Sequence, residues 1–284
     1  MDWTDPLLED FDQKRVVLFI GSGVSRNSVG RDGSRRPKTW HKFLDDTARS
    51  HKVSVLVEPY LNARDYLTAL DVLRHKLRPE QYSRVIREEY QNPGYAAADI
   101  HDAIYRLDCR IVLSPNFDKI YDVYVLEKSR GTITIKEYYA DDLAEFIRGD
   151  RSVVIKTHGS VDTPAKMIFG RKDYARARTQ NAMFYEILRA LTLTHTLLFI
   201  GCGVDDPDIR LILEDINFGS AGARAHYFLS AQGAISEEMK QVLSDTMNLV
   251  VLEYPYVNGS DDHSSLTTEL RALADSLSVT SGVL

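Results

Sequence analysis

The sequence predicts an α/β protein built on a doubly wound, mostly parallel sheet. Short runs of Val, Ile, Leu and Phe alternate along the chain with segments of helical period, such as residues 181–194, 236–247 and 264–277. The apolar runs are nearly continuous, a pattern typical of parallel strands that helices cover on both faces. Alternation of strand and helix favours the same fold class. The predicted strands are residues 15–20, 110–114, 152–156, 196–200, 225–230 and 249–254.

Composition excludes several classes of protein. The 284 residues are 44% hydrophobic and 27% charged, with 16 Gly and 9 Pro, which does not fit a disordered or fibrous chain. The first residues carry acid where a signal peptide carries Lys or Arg, and no apolar run reaches the roughly 18 residues of a membrane span. We therefore expect a cytoplasmic protein without membrane contact. The net charge of −6 gives no overall attraction to nucleic acid, so we expect contact with nucleic acid only indirectly.

The helical content is not spread evenly along the chain. Residues 40–107 contain several amphipathic helical patterns, including 66–77 and 79–90, and hardly any strand signal. We interpret this stretch as a helical module inserted after the first strand–helix unit. The prediction is one domain over residues 1–284, with a Rossmann-like core formed by residues 13–39 and 108–284.

The first predicted strand leads directly into a glycine turn, Gly21-Ser22-Gly23-Val24-Ser25. Such a turn allows backbone N–H groups and a helix N-terminus to approach a phosphate closely. A Rossmann fingerprint would place a third glycine at position 26, where this chain has arginine. The turn alone is therefore consistent with a nucleotide site or with a purely structural turn.

Polar residues follow the next two predicted strands. Asn116 and Asp118 come after the strand at 110–114, and His158 with Gly159 follows the strand at 152–156. These positions lie at the carboxyl ends of strands, where open α/β sheets bind ligands. A histidine there is a candidate base near neutral pH. Local turn and capping roles for the Asn and Asp, and a buried structural role for the histidine, remain alternatives.

A second glycine turn, Gly201-Cys202-Gly203, follows the strand at 196–200 and leads into an acidic helix start. Its glycines would allow a ligand to lie against the backbone. Helix capping is the favoured role of Asp206 and Asp208, because acidic residues stabilise the first turn of a helix.

The order of these four loops resembles the sirtuin family, and more narrowly the sirtuin-like domains of bacterial anti-phage defence systems. The turn at 21–25 is similar to the family's Gly-Ala-Gly-x-Ser loop, and residues 114–118 to its Thr-x-Asn-x-Asp segment. Residues 156–162 are similar to the segment that carries the catalytic histidine. Segments 37–40, 168–174 and 199–209 are similar to blocks of the defence branch.

This resemblance implies an NAD+ hydrolase that cleaves the nicotinamide–ribose bond and acts as the effector of an anti-phage system. Free hydrolysis of NAD+ would drain the host, so we expect the activity to be gated by assembly or by a partner. The resemblance also implies that His158 is the base, that Asn116 holds the ribose and a water, and that Asp118 hydrogen-bonds the nicotinamide amide. NAD+ is then the substrate. The residues predicted to bind it are Gly21, Ser22, Gly23, Ser25, Gly201, Gly203 and Asp205.

One departure from the family concerns zinc. Deacetylating sirtuins carry a zinc ribbon with four cysteines, whereas this chain has only Cys109 and Cys202. We therefore expect no zinc ribbon and no metal. Two other functions stay open: an NAD- or ADP-ribose-binding sensor without turnover, and a zinc-independent NAD-dependent deacylase. We also expect a homo-oligomer, and the resemblance implies a partner protein, such as a HerA-type ATPase or a short Argonaute.

Overall fold

A computed structural model of the chain describes residues 1–203, 206–219, 222–256 and 262–281. Within these residues, seven strands form one sheet in the order β3-β4-β2-β1-β5-β6-β7, and every neighbouring pair is parallel. The strands are β1 (Val16–Ile20), β2 (Ile111–Ser114), β3 (Thr134–Glu137), β4 (Val153–Lys156), β5 (Thr196–Ile200), β6 (His226–Ala231) and β7 (Leu249–Tyr254).

Helices cover both faces of this sheet, which confirms the predicted doubly wound α/β class. A short 3₁₀ helix spans Pro164–Lys166. The α-helices are α1 (Asp5–Asp12), α2 (Ser22–Ser25), α3 (Trp40–Ser50), α4 (Ser54–Asn62), α5 (Tyr66–Lys76), α6 (Pro79–Tyr90), α7 (Asp99–Arg106), α8 (Ile120–Lys128), α9 (Leu143–Arg148), α10 (Arg171–Gln180), α11 (Ala182–Thr194), α12 (Pro207–Gly219), α13 (Glu237–Met247) and α14 (Ser264–Ser281).

Burial explains why the central strands are so apolar. All residues of β1, β2, β4, β5 and β6 are buried, because helices pack on both sides of them. Alternate side chains enter two separate clusters. On β1, for example, Leu18 packs with residues of α1, α7 and α14, whereas Phe19 packs with residues of α10, α11 and α12. The continuous apolar runs of the sequence are thus the two-sided core of the sheet.

Helices α3 to α6 have a hydrophobic cluster of their own. It includes Phe43, Leu70 and Ile86, together with Phe117 and Phe169 from loops of the sheet domain. Each of these side chains is at most 5% exposed. The cluster supports our proposal of an inserted helical module, with a shared apolar face where the module meets the core.

Ion pairs also join this module to the core. Arg74 of α5 lies 2.6 Å from Asp173 of α10, and Arg171 lies 2.8 Å from Asp65. Helix α7, by contrast, contributes Ile100 to the cluster on one face of the sheet. The proposed end of the insertion at residue 107 remains a proposal, and this packing favours a boundary before α7.

The chain gives no sign of a membrane-spanning element in the part that the structure describes. No helix there is both long and apolar enough to cross a bilayer.

Candidate functional site

The four loops singled out in the sequence lie next to one another at one edge of the sheet. They follow β4, β2, β1 and β5, which are consecutive neighbours in the strand order. The chain leaves β1 for β2 on one side, while β5 lies on the other side, so the strand order reverses between β1 and β5. A reversal of this kind opens a crevice at the carboxyl ends of the strands, where α/β proteins bind ligands.

Asn116 connects the loop after β2 to the loop after β1. Its Nδ2 donates to the carbonyl oxygen of Gly21 at 3.0 Å and to Oγ of Ser25 at 3.2 Å. The Ser25 hydroxyl in turn donates to Oδ2 of Asp118 at 2.8 Å. Asn116, Ser25 and Asp118 are 9%, 3% and 5% exposed. These predicted residues therefore form one buried chain of hydrogen bonds, which runs from the Asn116 amide through the Ser25 hydroxyl to the Asp118 carboxylate.

Asp118 also has a local structural role. Its Oδ1 accepts a hydrogen bond from the backbone N–H of Ile120, the first residue of α8, at 3.0 Å. This is the local turn role that the sequence left open beside ligand binding. The two roles are compatible, because each carboxylate oxygen has two lone pairs and accepts only one described donor here.

Buried Lys156 fixes the position of the loop after β2. Its Nζ donates to the backbone oxygen of Asp118 at 2.6 Å and pairs with the Asp122 carboxylate at 3.0 Å. Lys156 is 1% exposed and Asp122 is 3% exposed. Burial raises the pKa of Asp122, and the ammonium of Lys156 opposes that rise. The end of β4 thus anchors the segment that carries Asn116 and Asp118.

The two glycine turns pack against each other at the point of strand reversal. The N–H of Gly23 donates to the carbonyl of Gly201 at 2.7 Å, and a Cβ on Gly23 would lie 2.7 Å from that same oxygen. Gly201 has a φ of +63°, and a Cβ there would lie 2.7 Å from the backbone nitrogen of Val24. Contact between the loops accounts for these glycines structurally, and their contact with a ligand remains a proposal.

We predict that Gly23→Ala destabilises the protein by about 1–3 kcal/mol, because the added methyl group overpacks a rigid backbone contact. Gly219→Ala is the matched control, since a Cβ at Gly219 would meet nothing within 4 Å. Urea unfolding of both variants measures the difference. Equal midpoints for Gly23→Ala and the parent protein would show that the two turns are not in tight contact.

The remaining predicted ligand-binding residues lie in the same two loops. Ser22 opens α2 and is exposed, Gly21 is buried, and Gly203 is exposed in the loop after β5. Asp205 lies outside the described residues.

His158 lies in the loop after β4 and faces a carboxylate rather than packed hydrocarbon. Its Nε2 is 2.9 Å from Oδ2 of Asp206, and its ring meets the Tyr174 ring edge-on with centroids 5.4 Å apart. The residue is 8% exposed. Among the described residues it makes no side-chain hydrogen bond to Asn116 or Asp118. His158 therefore contacts the loop after β5, which also carries the second glycine turn.

Asp206 is the functional candidate whose role sequence reasoning missed. The expected capping role is present, because Oδ1 accepts the backbone N–H groups of Asp208 and Ile209 at 3.0 and 2.9 Å. The other oxygen, Oδ2, meets His158 and accepts the Tyr174 hydroxyl at 2.9 Å. Burial acts to raise the pKa of Asp206, but His158 and these hydrogen bonds outweigh it and hold the pKa below its ordinary value.

Asp208 lies in the first turn of α12, as the sequence predicted, but its carboxylate also binds side chains outside this helix. Its carboxylate pairs with Arg178 at 2.6 Å and accepts the Tyr185 hydroxyl at 2.7 Å. Arg178 lies on α10, so the sequence around Asp208 does not predict this ion pair.

A cavity of about 550 Å³ lies elsewhere, between the loop that follows α2 and helices α3 and α6. Its walls carry charges of both signs, and none of the predicted site residues lines it. In the part of the chain that the structure describes, no group of three His, Cys, Asp or Glu side chains is arranged to hold a metal ion. Residues that line the cavity include Arg31, Arg35, Lys38, Phe43 and Glu89.

The fold and this edge define an α/β protein with a candidate ligand site at polar strand-end loops. The family model for the SIR2-like domain matches residues 110–252, which is half of the chain. The chain therefore belongs to the SIR2-like family.

Curated relatives cover most of this chain at low identity. It is 28% identical over 225 residues to the NAD(+) hydrolase ThsA of Enterococcus faecium, covering 77% of this chain and 44% of that protein. It is 24% identical over 226 residues to the NAD(+) hydrolase ThsA of Acinetobacter baumannii, covering 78% of this chain and 44% of that protein. Defense-associated sirtuin 2 of Bacillus subtilis is 21% identical over 209 residues, covering 70% of this chain and 19% of that protein. The chain spans less than half the length of these curated relatives.

Proposed function

We propose that this protein hydrolyses NAD+ at the nicotinamide–ribose bond, giving nicotinamide and ADP-ribose. The observation that carries the proposal is the placement of four polar strand-end loops side by side at the crevice edge of the sheet. The names of the relatives, NAD(+) hydrolase, support the same chemistry.

The chemistry of NAD+ fits the residues at this edge. Nicotinamide leaves as a neutral molecule from a cationic pyridinium, so the leaving group needs no general acid. A pair of carboxylates, as ordinary glycosidases use, is unnecessary. The protein must instead hold the ribose, orient a polar group toward the developing oxocarbenium ion and supply a base for the attacking water.

Asn116 suits the task of orienting water. The Gly21 carbonyl can only accept a hydrogen bond, which fixes the amide so that Nδ2 faces it and Oδ1 faces away. None of the described donors contacts that Oδ1 atom, so it is available to accept a hydrogen bond from water or from a ribose hydroxyl. We propose that Oδ1 holds the water and that His158 removes its proton.

Incubation of purified protein with NAD+ tests the proposal through product analysis. We expect one nicotinamide and one ADP-ribose for each NAD+ consumed. NAD+ that binds without nicotinamide release, across partner and activator conditions, would favour a sensor. An acyl-ADP-ribose that forms only with an acylated peptide would instead indicate a deacylase.

We propose that the activity is gated, because unrestrained hydrolysis would drain cellular NAD+. Gating by self-assembly or by a partner protein in the cytoplasm fits an anti-phage effector, and a HerA-type ATPase or a short Argonaute is the partner class that we propose. Size-exclusion chromatography with light scattering, with the protein alone and with the product of the neighbouring gene, measures both kinds of assembly. A monomer that does not bind this product, yet hydrolyses NAD+ at full rate, would contradict the gating proposal.

A further inference from the structure

We propose that Asp206 is a positioning residue that holds the proton of His158 on Nε2 and leaves Nδ1 as the nitrogen that accepts a proton in the reaction. The inference rests on the proposed function, in which His158 is the base.

The hydrogen bond between the two side chains determines the tautomer. Asp206 Oδ2 is a carboxylate oxygen that can only accept, so His158 Nε2, at 2.9 Å, must carry the hydrogen. In neutral imidazole the lone pair then resides on Nδ1. None of the described residues hydrogen-bonds that nitrogen, and the side chain keeps 10% of its surface exposed. Nδ1 is therefore the basic position.

The Asp206 carboxylate is itself held rigidly. Oδ1 receives the N–H groups of Asp208 and Ile209 at the start of α12, while Oδ2 receives the hydroxyl of Tyr174 as well as His158. Four donors on two oxygens leave the carboxylate little freedom to rotate. The start of a helix also favours a negative charge, and the lowered pKa of Asp206 supports its ionised form at neutral pH.

Tyr174 completes the arrangement from α10. Its hydroxyl contacts Asp206, and its ring edge meets the imidazole at an interplanar angle of 78°. One tyrosine thus supports both members of the pair, so the imidazole is restricted in position and in rotation. When Nδ1 takes a proton, the imidazolium forms beside a fixed carboxylate, which stabilises the positive charge.

The pair also joins two distant parts of the edge. His158 follows β4 and Asp206 follows β5, and β2 and β1 lie between these strands. The opposite hypothesis is that Asp206 holds the imidazole away from its working position. In that case, removal of the carboxylate would raise activity rather than lower it.

Asp206→Asn separates these possibilities. The amide oxygen can still cap α12, but the amide nitrogen would then face His158 as a donor, so the imidazole proton should move to Nδ1. Asp208→Asn is the matched control, because Asp208 is a neighbouring carboxylate that binds Arg178 and Tyr185 rather than His158. Tyr174→Phe keeps the ring beside the imidazole and removes only the hydroxyl.

The first readout is the tautomer of His158, measured by ¹⁵N NMR of histidine-labelled protein without NAD+ and assigned with His158→Ala. We expect Nε2–H in the parent, Tyr174→Phe and Asp208→Asn, and a shift toward Nδ1–H in Asp206→Asn. An Nδ1–H tautomer in the parent protein would overturn the inference, even if Asp206→Asn failed to fold. This readout does not depend on turnover, so its result is distinct from success or failure of the proposed function.

The second readout is the rate of nicotinamide release. We expect Asp206→Asn to lower kcat by about 10²- to 10⁴-fold, the range typical of lost general-base catalysis, with little change in KM. Tyr174→Phe should lose less than about tenfold, and Asp208→Asn should match the parent. Activity of Asp206→Asn equal to or above the parent rate would contradict the positioning role.

Discussion

His158→Ala and Asn116→Ala are each expected to reduce nicotinamide release from NAD+ by at least about 10²-fold while the protein stays folded. The first substitution removes the base, and the loss of general-base catalysis alone costs about 10²- to 10⁴-fold. The second removes the amide that we assign to the water and the ribose. Both side chains lie on loops beyond the strands, so the sheet should persist. Nicotinamide release and circular dichroism of each purified variant check the two parts.

Two matched variants control for the loss of a histidine or an asparagine in general. His195 directly precedes β5 and therefore lies at the opposite edge of the sheet, and Asn217 is on α12 with its amide on the backbone oxygen of Asp245. His195→Ala and Asn217→Ala should keep the parent rate. A His158→Ala variant as active as its parent would show that His158 is not the base.

Lys156→Met is expected to destabilise the protein by about 3–5 kcal/mol, which is the cost of leaving one member of a buried ion pair without its partner. The substitution removes the ammonium that compensates Asp122 and that holds the backbone oxygen of Asp118. Because this segment carries Asn116, NAD+ cleavage should fall as well. Urea denaturation measures the free energy of unfolding.

The control for Lys156→Met uses an exposed lysine from the same region. Lys119 pairs with Asp162, but the two side chains are 43% and 49% exposed, so Lys119→Met should cost less than about 1 kcal/mol. The double variant Lys156→Met, Asp122→Leu should regain part of the lost stability, because an apolar pair tolerates burial. A Lys156→Met protein as stable as Lys119→Met would contradict the anchoring role.

Most of the sheet could be predicted from local sequence because burial on both faces leaves a strong signal. The six predicted strands agree with β1, β2, β4, β5, β6 and β7 to within one residue at each end. The seventh, Thr134–Glu137, was missed. It is an edge strand in which every residue is only partly buried, so its sequence Thr-Ile-Lys-Glu has no apolar run.

The candidate site could be predicted only in part. Strand ends place Asn116, Asp118 and His158 at one edge, because the carboxyl ends of parallel strands share that edge. The contact between His158 and Asp206 could not be predicted, since it joins loops of strands that are not neighbours. The Asp-Pro-Asp sequence at 206–208 correctly predicted a helix start. Capping alone explained an acidic residue at position 206, so nothing in the sequence predicted its contact with His158.

The most direct test of the account is a crystal structure of the His158→Ala protein with NAD+ bound. We predict that the dinucleotide lies across the ends of β1, β2, β4 and β5, with the nicotinamide ribose beside Asn116 and the space left by the missing imidazole. NAD+ bound away from this edge, for example in the cavity lined by Arg31, Arg35 and Glu89, would contradict it.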